Sequence, residues 1–201
     1  MLDGQVLAFC GVALVLAVTP GPDMALVLRN SVRGGRSAGL RTVAGISVGL
    51  IVWGLASAFG VAAVLAASST VFTALKIAGG IYLVYLGVQT FRALRRNGPI
   101  ERTSAPARGS PFRQGVVTNV LNPKLAVFFT TLLPQFISAD DPYFAKALLL
   151  AVLFVLIGLA WLVTYTFVVD TIARSLRFRT TVEAISGAVL VALGVRLVVE
   201  R

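Results

Sequence analysis

Two charged residues stand inside otherwise apolar stretches, and each directly follows a proline. They close two short motifs, Thr19-Pro20-Gly21-Pro22-Asp23 and Leu121-Asn122-Pro123-Lys124. Proline breaks a helix, which frees backbone carbonyls before the break and N–H groups after it. The N–H groups at a helix start suit a carboxylate, whereas free carbonyls and the Asp23 side chain suit an ammonium group or a proton. The pattern predicts a binding site for a zwitterion such as an amino acid.

The two motifs occupy corresponding places in the two halves of the chain. Residues 22–28 align with residues 123–129 as proline, charge, apolar residue, alanine and three further apolar residues. An ionisable residue at the centre of a membrane helix costs about 2.5–3.5 kcal/mol and therefore marks a functional site. We predict that Asp23 and Lys124 face one polar cavity, paired with each other or each with substrate. The predicted substrate-binding and coupling residues are Pro20, Gly21, Pro22, Asp23, Asn122, Pro123 and Lys124.

Several polar residues elsewhere in the apolar stretches allow two interpretations, a pocket wall or ordinary hydrogen bonds between helices. The candidates for the pocket wall are Asn119, Tyr82, Tyr85 and Gln89. Equally ambiguous are Trp161, Thr164 and Tyr165. The motif charges also have a structural alternative, in which Asp23 caps a half-helix and Lys124 reaches to the membrane interface.

The composition places these residues in a membrane. Of 201 residues, 57% are hydrophobic and only 13% are charged, and the mean hydropathy is +0.89. A soluble domain is roughly 45–50% apolar and about 25% charged. Long uniform apolar runs predict transmembrane helices rather than barrel strands. Histidine is absent and Cys10 is the only cysteine, which excludes disulfide, cysteine–metal and histidine-dependent catalytic chemistry. We therefore predict no catalytic residues, no metal ligands and no enzyme activity.

The apolar runs predict six spans in a single all-α transmembrane domain covering residues 1–201. The expected spans are about 4–21, 42–67, 70–91, 113–137, 144–169 and 181–199. Repeat 1 is expected over about 1–91 and repeat 2 over about 113–201, joined by a basic linker over about 92–112. Because three spans precede the linker, the two repeats must be inverted, with their first helices, the first and fourth of the chain, broken at the proline motifs.

The basic residues predict the orientation in the membrane. The net charge is +10, but 13 arginines fall in the connections between spans 1–2, 3–4 and 5–6, against 4 basic residues on the opposite side. Such an excess of basic residues belongs on the cytoplasmic side, so both termini are expected outside. The same distribution argues against a nucleic-acid partner. The face of Gly45, Gly49, Ala56 and Gly60 indicates close helix packing, either within the chain or in a homo-oligomer.

At the two proline motifs the chain resembles the LysE/RhtB family of amino-acid exporters. The resemblance extends over a glycine-spaced stretch (34–49), the third-helix run Leu75–Gly87 and the fourth-helix pattern Phe112, Gly115, Asn119, Asn122-Pro123-Lys124 and Leu133-Pro134-Gln135-Phe136. It implies a multi-pass protein of the bacterial inner membrane that exports amino acids such as homoserine, threonine, lysine or leucine. It also implies that the proton motive force drives transport without a cofactor.

Asp23 is the only carboxylate well inside a predicted span, so it is the candidate proton carrier, exchanging its proton for the substrate ammonium. Two other functions stay open. One is a metal-cation exchanger of a related six-helix fold, although such a site usually needs more than one carboxylate. The other is a structural membrane protein that transports nothing, in which neutral replacements of Asp23 and Lys124 would be tolerated.

Overall fold

The computed structural model describes residues 4–60, 69–97, 109–172 and 176–199, and every regular element in these ranges is a helix. The helices are α1 (Gly4–Val18), α2 (Pro22–Ala58), α3 (Ser69–Asn97), α4 (Pro111–Val120), α5 (Pro123–Val127), α6 (Tyr143–Ile172) and α7 (Leu176–Val199). A π turn (Phe128–Leu132) and a 3₁₀ turn (Leu133–Phe136) extend α5.

Both proline motifs interrupt a helix, as the sequence predicts. The chain leaves the helix between Val18 and Pro22, and again between Val120 and Pro123. At the second break the two helical pieces are bent by 47°. In each case a proline occupies the first turn of the new helix, where its fixed φ fits and its missing N–H costs nothing.

α2 turns sharply at Gly35, whose φ of 68° and ψ of −168° lie outside the helical region. Glycine adopts this left-handed φ without steric penalty. After the turn Gly39 packs against Ser31, and Asn30 Nδ2 donates to Thr42 Oγ1 at 2.9 Å. α2 therefore consists of two arms, residues 22–34 and 36–58, folded against each other. The basic connection expected between the first two spans is helical instead, because the reversal takes a single glycine.

Other helix bounds also depart from the expected spans. α3 continues six residues into the expected linker, through Asn97, and α7 begins at Leu176 rather than near 181. Residues 98–108 of the linker and residues 61–67 of the second expected span lie outside the described residues. By length and composition, α2 (Pro22–Ala58, divided by the turn at Gly35) and Tyr143–Thr171 each contain a stretch that can cross a membrane, as does the bent pair Pro111–Val120 and Pro123–Phe136 if it is one span. Gly4–Val18 and Ala184–Arg196 are shorter apolar helices, so the number of six spans stays a prediction.

Glycines bring two pairs of helices into close contact. A Cβ atom at Gly45 would meet the backbone of Phe112 in α4, and one at Gly115 would meet the backbone of Thr42. α3 and α7 approach in the same way, where a Cβ at Gly194 would lie 2.6 Å from Gly80 O. The predicted glycine face of α2 thus packs within the chain at Gly45 and Gly49.

Arg29 joins three helices through a buried polar cluster. Its side chain is fully buried. Arg29 Nε donates to Thr90 Oγ1 of α3 at 2.7 Å, Nη2 to Gln89 Oε1 at 3.4 Å, and Nη1 to Gln114 Oε1 of α4 at 3.3 Å. The sequence placed Arg29 among the loop arginines that set orientation. It instead lies inside the helix bundle, where burying a charge requires such partners.

We expect Gly45→Ala to weaken the contact between α2 and α4. The added Cβ would press on the backbone at Phe112, and overpacking of this kind costs about 1–3 kcal/mol. The thermal unfolding midpoint of the purified protein in detergent should fall. Gly11→Ala is the matched control, because nothing lies within 4 Å of a Cβ at Gly11. Equal midpoints for the two variants would contradict the observed packing.

Candidate functional site

Lys124 closes the end of α1. Its ammonium Nζ donates to Leu16 O at 2.7 Å and to Thr19 O at 3.0 Å. In an uninterrupted helix the N–H four residues later would bind Leu16 O, but residue 20 is proline and has no N–H. Lys124 supplies the missing donor, and its positive charge is stabilised at the negative end of the helix dipole.

Asp23 is held by the second break. Its Oδ2 atom accepts from Asn119 Nδ2 at 3.0 Å and from Asn122 Nδ2 at 3.2 Å. Its other oxygen, Oδ1, is buried and has no hydrogen-bond partner among the described residues. The charge of each motif is therefore bound by groups at the opposite break. The two charges do not form the direct pair that was one of the two predicted arrangements.

The two helix starts at the breaks differ in how they are capped. Asn122 is the N-cap of α5, and its Oδ1 accepts from Lys124 N at 3.1 Å. The N-cap of α2 is Gly21, which has no side chain to cap it. Asp23 is thus not the cap but lies in the first turn of α2, where a negative charge is favourable. The first turn of α2 remains the open helix start of the pair.

A cavity lies at the junction of the two breaks. Four of the predicted residues line it, namely Gly21, Asp23, Asn122 and Lys124. Its apolar wall comes from the second arm of α2 and from α6, including Leu50, Phe154 and Leu162. Small-molecule pockets are mostly apolar with a few polar groups, and the lining of this cavity has that composition.

The remaining predicted residues lie around the cavity or away from it. Pro22 and Pro123 begin α2 and α5, and Pro20 lies in the first break. Asn119 stands behind Asp23 as its hydrogen-bond donor. Tyr82, Tyr85 and Gln89 do not line the cavity: the two tyrosine rings pack together with centroids 6.4 Å apart, and Gln89 binds Arg29. These three make contacts between side chains of the bundle.

Trp161 of α6 lines the cavity, whereas the sequence left it ambiguous between a pocket wall and ordinary hydrogen bonds. Its signal was an indole N–H in an apolar run, since buried tryptophan usually needs an acceptor. The carbonyls of Leu16 and Thr19 were not predicted individually, because backbone groups carry no residue signature.

We expect Lys124→Met to destabilise the protein, and Pro20→Ala to reduce that loss. Without Lys124 the Leu16 carbonyl is left unsatisfied, at a cost of about 1–3 kcal/mol. Alanine at position 20 restores an N–H that can bind Leu16 O, so the two substitutions should not add. Thermal midpoints in detergent of the wild type, both single variants and the double variant measure the coupling. Strict additivity would show that Lys124 does not serve this carbonyl.

The sequence profile of the family described as LysE type translocator matches residues 14–201. The chain belongs to the LysE type translocators. The family predicted from the two proline motifs is thereby confirmed, and the matched region includes both breaks and the cavity.

Named relatives of this LysE type translocator cover nearly its whole length. A Bacillus subtilis protein named "Uncharacterized membrane protein YrhP" is 30% identical over 96% of this chain and 97% of its own. The homoserine/homoserine lactone efflux protein of Salmonella typhimurium is 26% identical over 90% of this chain and 88% of its own. The threonine efflux protein of Escherichia coli is 27% identical over 94% and 95%. No solved structure matches the chain.

Proposed function

We propose that this LysE type translocator exports amino acids or close derivatives from the bacterial cytoplasm across the inner membrane, as a transporter and not an enzyme. The observation that carries the proposal is the junction of the two broken helices, where Asp23 and Lys124 line one cavity. Relatives named for threonine efflux and for homoserine and homoserine lactone efflux support this substrate class.

The cavity offers complementary groups to a zwitterion. The free Oδ1 of Asp23 accepts a hydrogen bond from the substrate ammonium. The first helical bond of α2 runs from Ala25 N to Gly21 O, so the N–H groups of Asp23 and Met24 precede the ladder. Together with the helix dipole, these N–H groups suit the substrate carboxylate.

Export against a gradient needs an energy source, and we propose the proton motive force with no cofactor. Asp23 alternates between a proton and the substrate ammonium, so each occupant must leave before the other binds. One elementary charge moved across 100 mV is worth about 2.3 kcal/mol, which supports roughly a fiftyfold concentration ratio.

We further propose six spans in two inverted repeats that rock about the breaks. The helix contacts support this, because they occur in pairs that an exchange of repeats would interconvert. The contact of α2 with α4 in this scheme corresponds to the contact of α6 with α1. The contact of α2 with α7 corresponds in the same way to the contact of α5 with α3. The α3–α7 contact is its own counterpart. In this arrangement the basic connections face the cytoplasm and both ends of the sequence face outside.

We expect Asp23→Asn to abolish export while leaving the protein in the membrane. Cells preloaded with amino acids through dipeptides would be followed for efflux of homoserine, threonine, lysine and leucine. Asparagine keeps the shape of the side chain but removes its negative charge and its ability to exchange a proton at neutral pH. Wild-type efflux should be selective within the panel and should collapse when a protonophore is added.

Asp140→Asn is the matched control at equal membrane expression, since Asp140 is exposed and does not line the cavity. Lys124→Gln should reduce export as Asp23→Asn does. Wild-type cells that export nothing from the panel would overturn the proposed substrate class. Normal export by Asp23→Asn would leave the exporter standing and remove the proposed coupling.

Reporter fusions would measure the proposed orientation. Alkaline phosphatase fused after Arg201 should be active, because it folds only outside the cytoplasm, and green fluorescent protein fused there should be dark. Both reporters inserted between residues 98 and 108 should give the opposite result. The reverse pattern at both sites would show that the basic connections face outside.

A further inference from the structure

A residue that lines the cavity carries a second buried polar atom without a partner. Trp161 of α6 lines it, and its indole Nε1 is buried with no hydrogen-bond partner among the described residues. The ring stacks on Tyr165 with centroids 6.3 Å apart and an interplanar angle of 22°. This packing holds the indole against one side of the cavity.

The other tryptophan of the chain shows the ordinary arrangement. Trp53 Nε1 donates to Asn119 O at 3.3 Å, so its single donor is used. An indole N–H can only donate, and a buried donor left unbonded destabilises the fold. A ligand that brings an acceptor to Trp161 removes this penalty.

Trp161 and Asp23 line the same cavity with unused groups of opposite type. Asp23 Oδ1 accepts and Trp161 Nε1 donates. Asp23 belongs to the first half of the chain and Trp161 to the second. A ligand with a donor at one end and an acceptor at the other would therefore bridge the two halves.

We propose that Trp161 is a specificity-determining residue whose N–H donates to a carboxylate oxygen of the substrate while Asp23 binds the substrate ammonium. This assignment rests on the proposed function and names the residue that distinguishes an amino acid from a simple amine. The indole N–H would bind the substrate carboxylate together with the N–H groups of the first turn of α2. A simple amine, which has no carboxylate or carbonyl oxygen at that position, leaves the indole N–H unbonded.

The test measures binding to the purified full-length protein in detergent by calorimetry. The probes are L-homoserine, L-threonine and 3-amino-1-propanol, the last being homoserine without its carboxyl group. The wild type should bind the amino acids at least about 10-fold more tightly than the amine, because the carboxylate contacts both Trp161 and the first turn of α2. Trp161→Phe keeps an aromatic ring and loses the N–H, so it should weaken amino-acid binding about 10- to 100-fold, as expected for one hydrogen bond to a charged group, and leave the amine unchanged.

Tyr165→Phe is the matched control, because it keeps the stacked ring and does not line the cavity. Equal weakening of all three probes by Trp161→Phe would assign Trp161 to packing alone, and unchanged binding would also overturn the proposal. If the wild type binds neither amino acid, the proposed function fails and this assignment with it. If the wild type binds the amino acids as expected but Trp161→Phe does not weaken that binding selectively, the assignment fails and the proposed function stands.

A second measurement needs no variant. Titration with L-threonine should shift the tryptophan emission of the wild type as the indole N–H gains an acceptor, whereas 3-amino-1-propanol should leave it unchanged. An equal shift with both probes would contradict a carboxylate contact at Trp161.

Discussion

The need to satisfy backbone groups where a helix breaks is the constraint on which this structure depends. In an apolar medium a broken helix leaves carbonyl and N–H groups that only the protein can satisfy. Here the second break supplies the partners of the first: Lys124 binds the carbonyls at the end of α1, and Asn119 and Asn122 bind Asp23. The first break therefore depends on the other half of the chain, and the cavity lies where the two breaks meet.

The hydrogen bonds between the two breaks occupy some polar groups and leave others available to a ligand. Lys124 is occupied by carbonyls, and Asn122 is occupied at both ends, by Asp23 and by the start of α5. Among the described residues that line the cavity, the buried side-chain atoms without a partner are one oxygen of Asp23 and the indole nitrogen of Trp161, and the start of α2 has no side-chain cap. The proposed binding site is thus defined by the polar side-chain atoms that the fold leaves without partners.

α2 departs clearly from the structure that its sequence predicts. Gly34 and Gly35 are visible in the sequence, but the arginines around them indicated an exposed loop. The structure reverses the chain at Gly35 and keeps both arms helical. Arg29 is buried because the reversal brings it between α3 and α4, where Thr90 and Gln114 accept its hydrogen bonds. Counting basic residues measures charge along the chain and cannot register which charges the packing removes from the surface.

The sequence by itself determined where the helices break and which charges stand at the breaks. Proline lacks an N–H wherever it occurs, so the interruptions at Pro20–Pro22 and Pro123 follow from covalent structure. Only the tertiary structure decided what each charge binds, since Asp23 meets Asn119 across 96 residues and Lys124 meets Leu16 across 108. It likewise placed Trp161 at the cavity and Gln89 against Arg29. Such contacts depend on how distant helices pack, and a local pattern of residue types does not contain that information.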